Sequence, residues 1–273
     1  MADLYGVWAK YQRGMEQLTA LNKEVLVFGK KPHPYTIFSQ VNDEGTHYVF
    51  ALKPAWPADL HDRWGAIIGE IVHDFRSALD QLVCEFVRLN GGEPRRSHSF
   101  PICGKEPSQG FGVHMRREWT DSRGKVRYGP LFGVSDSAVA LIESCQPYKG
   151  PNGKRLRQLH DLWNLDKHQT LIPTILWGRA PETKLTNAVI LAQPPGRFEG
   201  DTYVMEVFVA PESTEGPHPH VDVEPHAPID IALSDGREPV IEVLRDVAKV
   251  VLTGLLHPAS DIFPEGASMR LPF

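Results

Sequence analysis

The sequence has few cysteines and no long apolar run, and both shortages narrow the kind of protein that it encodes. Its three cysteines, among 273 residues, are Cys84, Cys103 and Cys145. They are odd in number, far apart and without a CxxC spacing, so neither a disulfide framework nor a zinc ribbon is indicated. No apolar run approaches the roughly 20 residues needed to cross a bilayer, and residues 1–14 lack the pattern of a signal peptide. We therefore expect a cytoplasmic protein with reduced thiols and no membrane partner.

Excess positive charge and nucleotide-binding motifs are lacking as well. The formal net charge of -5 argues against a surface coated in positive charge for long-range capture of nucleic acid, although a local basic patch is compatible with it. The sequence contains no P-loop, no GxGxxG after a predicted strand and no GxSxG. Nucleotide-driven motors, dinucleotide oxidoreductases and serine hydrolases are therefore disfavoured.

The sequence does have a hydrophobic fraction of 41%, which is enough for a substantial core. Its hydrophobic residues recur with two different periodicities. Apolar residues three or four apart predict helices at about 1–29, 58–90, 135–171 and 237–256. Short β-rich runs between turn residues predict strands at about 35–52 and 171–233. Because strands and helices do not alternate regularly, a doubly wound parallel sheet is disfavoured. We predict one α+β domain over residues 1–273, in which a bundle of four to five helices packs against an antiparallel β-sheet.

Two segments of the predicted helices carry polar side chains along one edge of their apolar faces. They are residues 70–87 and 154–171. At roughly 100° per residue, the stripe of the first helix holds His73, Arg76 and Asp80. The stripe of the second helix holds Arg157, His160, Asn164 and His168. If the apolar faces pack together, the two stripes line one surface. We call these residues the polar seam.

The polar seam has more than one interpretation. It can be a structural hydrogen-bond network, with Arg76 pairing Asp80 at i,i+4. It can also be an active site, in which a His moves protons, an Arg stabilises an anionic transition state, and an Asp or Asn fixes the imidazole tautomer. A third interpretation gathers His73, Asp80, His160 and His168 around one metal ion. A di-iron site is disfavoured, because the ExxH ending at His73 lacks the second copy that a di-iron bundle requires. Of these interpretations we favour those without a metal, and we expect no cofactor.

Three further features carry weaker signals. Residues 114–130, HMRREWTDSRGKVRYGP, combine Arg116, Arg117 and three more cations with Trp119; such a segment can contact phosphates and stack a base, or it can be a solvated loop. Gly65 and Gly69 inside a predicted helix favour a close helix crossing. The segment GPHPHVDVEPHAP is interpreted as a surface loop whose histidines, which could chelate an ion, are incidental; they are His218, His220 and His226.

The segments RSALDQLVCEFV and LHDLWNLDKHQTL resemble bacterial and phage proteins that pair an RSALD-type helix with an (N/I)DKH helix. More distantly, they are similar to the HEPN helical-bundle superfamily, whose signature is an Arg, a polar residue and, after four to six intervening residues, a His. Asn164 and His168 stand at the polar and His positions, whereas Trp163 stands where the Arg is expected. Either Arg76 or Arg157 supplies that Arg, or the fold persists without the activity. Arg155 to His160 also meets the spacing but lacks the polar residue.

The resemblance implies a metal-independent endoribonuclease of toxin or antiphage-defence type, with RNA as substrate and a homodimer whose protomers complete the active site. In that reaction the 2′-OH attacks the adjacent phosphate. The residues expected to catalyse it are Arg76, Asp80, His160, Asn164 and His168. The residues expected to bind substrate are His73, Arg157, Arg116 and Arg117. The alternative, from another class, is a non-catalytic binding module in which the polar seam is structural.

Overall fold

The computed structural model describes residues 2–29, 35–54, 59–168, 171, 173–177, 182–199, 202–211, 220–224, 229–233 and 238–264. Its helices are α1 Tyr5–Gly29, α2 Leu60–Leu89, α3 Phe111–Arg116, α4 Asp136–Ser144, α5 Pro151–His168, α6 Val240–Val250 and, after a π-helical segment Val251–Leu256, α7 His257–Ser260. Its strands are β1 Tyr35–Val41, β2 His47–Pro54, β3 Glu118–Thr120, β4 Val126–Tyr128, β5 Pro173–Trp177, β6 Glu182–Thr186, β7 Ala188–Ala192, β8 Arg197–Glu199, β9 Thr202–Pro211, β10 His220–Glu224 and β11 Ile229–Leu233. The predicted α+β class is confirmed.

The chain divides into two compact units. One, the helical unit, comprises Met1–Ala20, Ala66–Leu171 and Glu242–Phe273, and the other, the sheet unit, comprises Leu21–Gly65 and Ile172–Ile241. The prediction that residues 1–273 form a single domain stays a prediction.

The core of the helical unit is built around the apolar face of α2. The residues of this face recur three or four positions apart and are all at most 1% exposed; they are Ile68, Val72, Phe75, Leu79, Val83 and Phe86. Residues of α1 and α6 with the same spacing are also buried, among them Val7, Leu18, Leu244 and Val247. The helix α2 ends at Leu89, where Gly91 adopts a φ of 77° and its N–H donates to the carbonyl of Arg88 at 3.0 Å. Glycine adopts this left-handed conformation without steric cost.

The sheet unit contains a five-stranded antiparallel sheet in the order β1-β2-β9-β7, with β8 also paired to β9. The predicted hairpin forms β1 and β2, and the Asn42 side chain closes its turn by accepting the N–H groups of Thr46 and His47 at 2.8 and 2.9 Å. As predicted, this hairpin joins the later strands, since β2 pairs with β9 from His47↔Phe208 to Leu52↔Tyr203. Alternate residues of β2 and β9 form the core of this unit.

Several strands were not predicted from the sequence. The strand β10 lies in the Pro- and His-rich segment, where Val221 and Val223 are buried in the sheet unit's core. The pair β3 and β4 lies in residues 114–130, a segment interpreted from the sequence as a loop. None of the described helices is long and apolar enough to span a membrane.

Candidate functional site

Arg76 and Asp80 form the predicted i,i+4 ion pair, and together they hold the backbone of Phe100. Arg76 is 5% exposed, and its Nη2 lies 2.9 Å from Asp80 Oδ1 and donates to the Phe100 carbonyl at 2.7 Å. The Phe100 N–H donates to the same Asp80 oxygen at 2.8 Å. Since both backbone groups of a buried residue are satisfied by this pair, Arg76 and Asp80 anchor the segment that follows α2.

The second stripe meets the first at Trp163. The guanidinium carbon of Arg76 lies 4.9 Å from the centre of the Trp163 ring, and Lys167 Nζ lies 3.0 Å from it. Burial, followed by the positive charge of Arg76, lowers the pKa of His160. Trp163, which stands where the HEPN signature has an Arg, is therefore the residue against which Arg76 packs.

His160 and Asn164 are joined to each other. His160 Nε2 and Asn164 Nδ2 lie 2.9 Å apart, within hydrogen-bond distance, so the amide holds the orientation of the imidazole ring. Among the described residues, His160 Nδ1 and the Nε and Nη1 of Arg76 are buried without a hydrogen-bond partner. The four residues Arg76, Asp80, His160 and Asn164 thus form the part of the polar seam that the structure brings together.

The remaining seam residues lie apart from this group. His168 is exposed at the end of α5 and makes no hydrogen bond or ion pair with a described residue. Arg157 is exposed and pairs with Asp161 on its own helix at 3.0 Å. His73 is exposed, with Ser77 Oγ 3.2 Å from its Nε2. No hydrogen bond within the described part of the chain connects these three side chains to Arg76 or Asp80.

His73 instead opens onto a cleft of about 390 Å³ within the helical unit. The charged residues that line this cleft come from α1, α2 and α5 and have both signs; they are Lys10, Arg13, Glu70, His73, Asp74 and Asp166. We call this feature the charged cleft. Asp74, at 2% exposure, lies 3.2 Å from both Lys10 Nζ and Arg13 Nε. A buried carboxylate thus fixes two cations at the wall of the cleft.

The sequence did not predict Asp166 as a site residue, nor Lys10, Arg13 and Asp74 of the same cleft. Burial raises the pKa of the Asp166 carboxyl, and the opposing effect of His73 is smaller. The carboxyl lies against α2 at Gly69, where a Cβ would overlap Asp166 Oδ1. Gly69 therefore leaves room for the Asp166 carboxyl, and the close helix crossing predicted at Gly65 and Gly69 stays a prediction. The signals in the sequence were the polar segment WNLDKH in one predicted helix and Gly69 in the other. Neither of them shows that Asp166 is the residue that lies against Gly69.

Arg116 and Arg117, predicted to bind substrate, have different surroundings. Arg116 Nη1 donates to Asp136 Oδ1 at 2.6 Å and so ties α3 to the start of α4. Arg117 is exposed, and its guanidinium carbon lies 4.7 Å from the centre of the Trp119 ring. Only Arg117 therefore presents its charge beside an exposed aromatic ring.

The possible metal ligands do not assemble. Within the described ranges, no group of three or more His, Cys, Asp or Glu side chains is arranged to hold a metal ion. His220 is exposed on β10 and lies 3.8 Å from Asp222, while His218 and His226 lie outside the described residues.

In comparisons with known protein families, with curated proteins and with solved structures, the chain matches none. The relationship to the HEPN superfamily therefore stays a prediction that rests on the residues quoted for it.

Proposed function

We propose that the protein is a metal-independent endoribonuclease of the HEPN-like kind, and that it cleaves RNA in the charged cleft. The observation that carries this proposal is that His73 and Asp166 open onto one solvent-reached cavity together with Lys10 and Arg13. An imidazole, a carboxyl group with a raised pKa and two cations are the groups that proton transfer around a phosphate requires.

In this reaction His73 accepts the proton of the ribose 2′-OH as its oxygen attacks the adjacent phosphorus. Asp166, whose pKa is raised by burial, gives a proton to the departing 5′-oxygen. Lys10 and Arg13 face the non-bridging oxygens, where negative charge builds up. The products are a 2′,3′-cyclic phosphate and a 5′-hydroxyl end.

In this proposal, the four seam residues that the structure brings together position the catalytic groups of the charged cleft. Trp163, against which Arg76 packs, lies one turn of α5 before Asp166, so the position of Arg76 helps to set the position of that carboxyl. The catalytic roles expected of Asp80, His160, Asn164 and His168 stay predictions, and the geometry favours a positioning role for Asp80. The toxin or antiphage role and the homodimer also stay predictions, and light scattering of the purified protein measures the latter.

A fluorescently labelled single-stranded RNA in EDTA tests the proposal. General acid–base groups contribute about 100-fold or more to rate, so His73→Asn and Asp166→Asn should each slow cleavage by at least that factor while the melting temperature is retained. The matched controls are His220→Asn and Asp261→Asn, an exposed imidazole and an exposed carboxylate outside the cleft, and both should cleave at the wild-type rate. Wild-type cleavage that requires an added metal, or cleft variants as fast as the controls, would overturn the proposal.

A second candidate, the non-catalytic binding module, is favoured by one observation. Arg76, one of the residues expected to catalyse the reaction, is buried and is bound to Asp80 and to the Phe100 carbonyl. A protein that binds RNA but leaves it intact, with the native fold confirmed by circular dichroism, would establish this alternative.

A further inference from the structure

The hairpin of β3 and β4 is fixed to the helical unit by one of its two faces. In its antiparallel register, Glu118 faces Tyr128 and Trp119 faces Arg127. The centres of the Tyr128 and Phe132 rings lie 4.5 Å apart. The guanidinium carbon of Arg95 lies 3.8 Å from the centre of the Tyr128 ring. Because successive side chains of a strand point to opposite faces, Trp119 and Arg127 lie on the face away from Tyr128.

The turn of this hairpin is ordered by one carboxylate. Asp121 Oδ1 accepts the N–H groups of Arg123 and Lys125, both at 2.9 Å, and Oδ2 accepts from Arg127 Nε at 2.7 Å. These hydrogen bonds lower the pKa of Asp121. Gly124 has a φ of 74°, which suits this tight turn. The side chains on the turn therefore start from a defined backbone.

The outer face combines an aromatic ring with positive charge. Trp119 is 40% exposed, and Arg117 lies over part of its ring. Arg123 and Lys125 are exposed at the tip, and their side chains make no hydrogen bond or ion pair with a described residue. Residues 114–130 contain five Arg or Lys and two Asp or Glu, a net charge of +3 in a chain whose net charge is -5.

From this arrangement we infer that the outer face of the hairpin binds single-stranded polynucleotide, with a base stacked on Trp119 and the neighbouring phosphates contacted by Arg117, Arg123 and Lys125. If the proposed function holds, the polynucleotide is RNA. The identification of the ligand as RNA therefore rests on the proposed function. An indole beside a guanidinium offers a stacking surface that any unpaired base can use. An acidic peptide would use the cations but not the ring, and in a duplex the bases are already stacked on each other.

Fluorescence anisotropy with a labelled 2′-O-methyl oligonucleotide tests the inference, since this probe lacks the 2′-OH needed for cleavage. Stacking of one base is worth about 1 to 3 kcal/mol, or roughly 5- to 150-fold in affinity. We expect Trp119→Ala to weaken binding at least about 5-fold and Trp119→Phe to retain most of the affinity. Tyr5→Ala, which removes an exposed aromatic ring from α1, should bind like the wild type.

Salt dependence isolates the phosphate contacts. Each phosphate contacted on a single strand contributes about 0.7 to the slope of log affinity against log salt. Replacing both Arg123 and Lys125 by alanine should therefore reduce the slope by roughly 1.4, whereas Lys23→Ala, an exposed cation of α1, should not change it.

Three results would overturn the inference: no binding by the wild type, equal affinity of Trp119→Ala and the wild type, or equally tight binding of a duplex of the same length. Because the probe is not cleaved, failure of the proposed nuclease leaves this test intact. Trp119-dependent binding without any cleavage of RNA would sustain the inference and refute the nuclease.

Discussion

Replacing Arg76 by alanine separates a structural role from a catalytic one, and the structure sets the size of the expected effect. The lost hydrogen bond from a charged donor to the buried Phe100 carbonyl is worth about 2 kcal/mol. The ion pair with the partly exposed Asp80 adds about 1 kcal/mol, and the contact with Trp163 another 1 kcal/mol or so. We therefore expect Arg76→Ala to lower the free energy of unfolding by about 4 kcal/mol.

Urea unfolding followed by circular dichroism measures this loss, which corresponds to a drop of roughly 8 to 16 °C in melting temperature. The control is His168→Ala, which removes an exposed side chain without hydrogen bonds to described residues and should change stability by less than about 0.5 kcal/mol. If Arg76→Ala unfolds at the wild-type urea concentration and loses only RNA cleavage, the structural role is refuted and Arg76 is a catalytic group, as the resemblance to the HEPN superfamily implies.

Two further predictions concern the helix α5. Because burial and Arg76 lower the pKa of His160, its contribution to stability is complete above the ordinary pKa of about 6.5 and is lost as the pH falls through the lowered value. From pH 7 to 5 the melting temperature of the wild type should therefore fall more than that of His160→Gln, and parallel curves would contradict this. A Cβ at Gly153 would overlap the backbone of Gln146, so Gly153→Ala should lower the free energy of unfolding by about 2 kcal/mol or more, despite a gain of about 1 kcal/mol in helix propensity. Gly112→Ala, whose Cβ would have 3.4 Å to its nearest neighbour, is the control, and an equal loss of stability in both variants would show that this reasoning is wrong.

Local patterns were sufficient to predict much of the fold. The apolar face of α2 and the hairpin closed by the Asn42 turn follow from periodicity and turn chemistry, which act over a few residues. The strands β3, β4 and β10 were missed for the same reason. Two of them have only three residues each, too few to show an alternation, and β10 lies among prolines and histidines that mask its alternation.

The candidate site was predicted less completely. Periodicity placed Arg76, Asp80, His160 and Asn164 on the correct helix faces, and the structure brings them together. It did not reveal that Phe100, twenty residues after Asp80, returns to that pair. The path of an irregular segment depends on which buried polar groups it can satisfy, and no sequence spacing records that.

The sequence by itself determined an α+β protein with amphipathic helices and an antiparallel hairpin, since each of these features is stabilised by residues near one another in the chain. Only the tertiary structure decided which polar side chains share a surface. Asp166 meets α2 because Gly69 leaves room for its carboxyl, and His73 opens onto the charged cleft instead of joining Arg76. These partners depend on where and how closely two helices cross, which is set by packing across the whole core and not by the period of either helix.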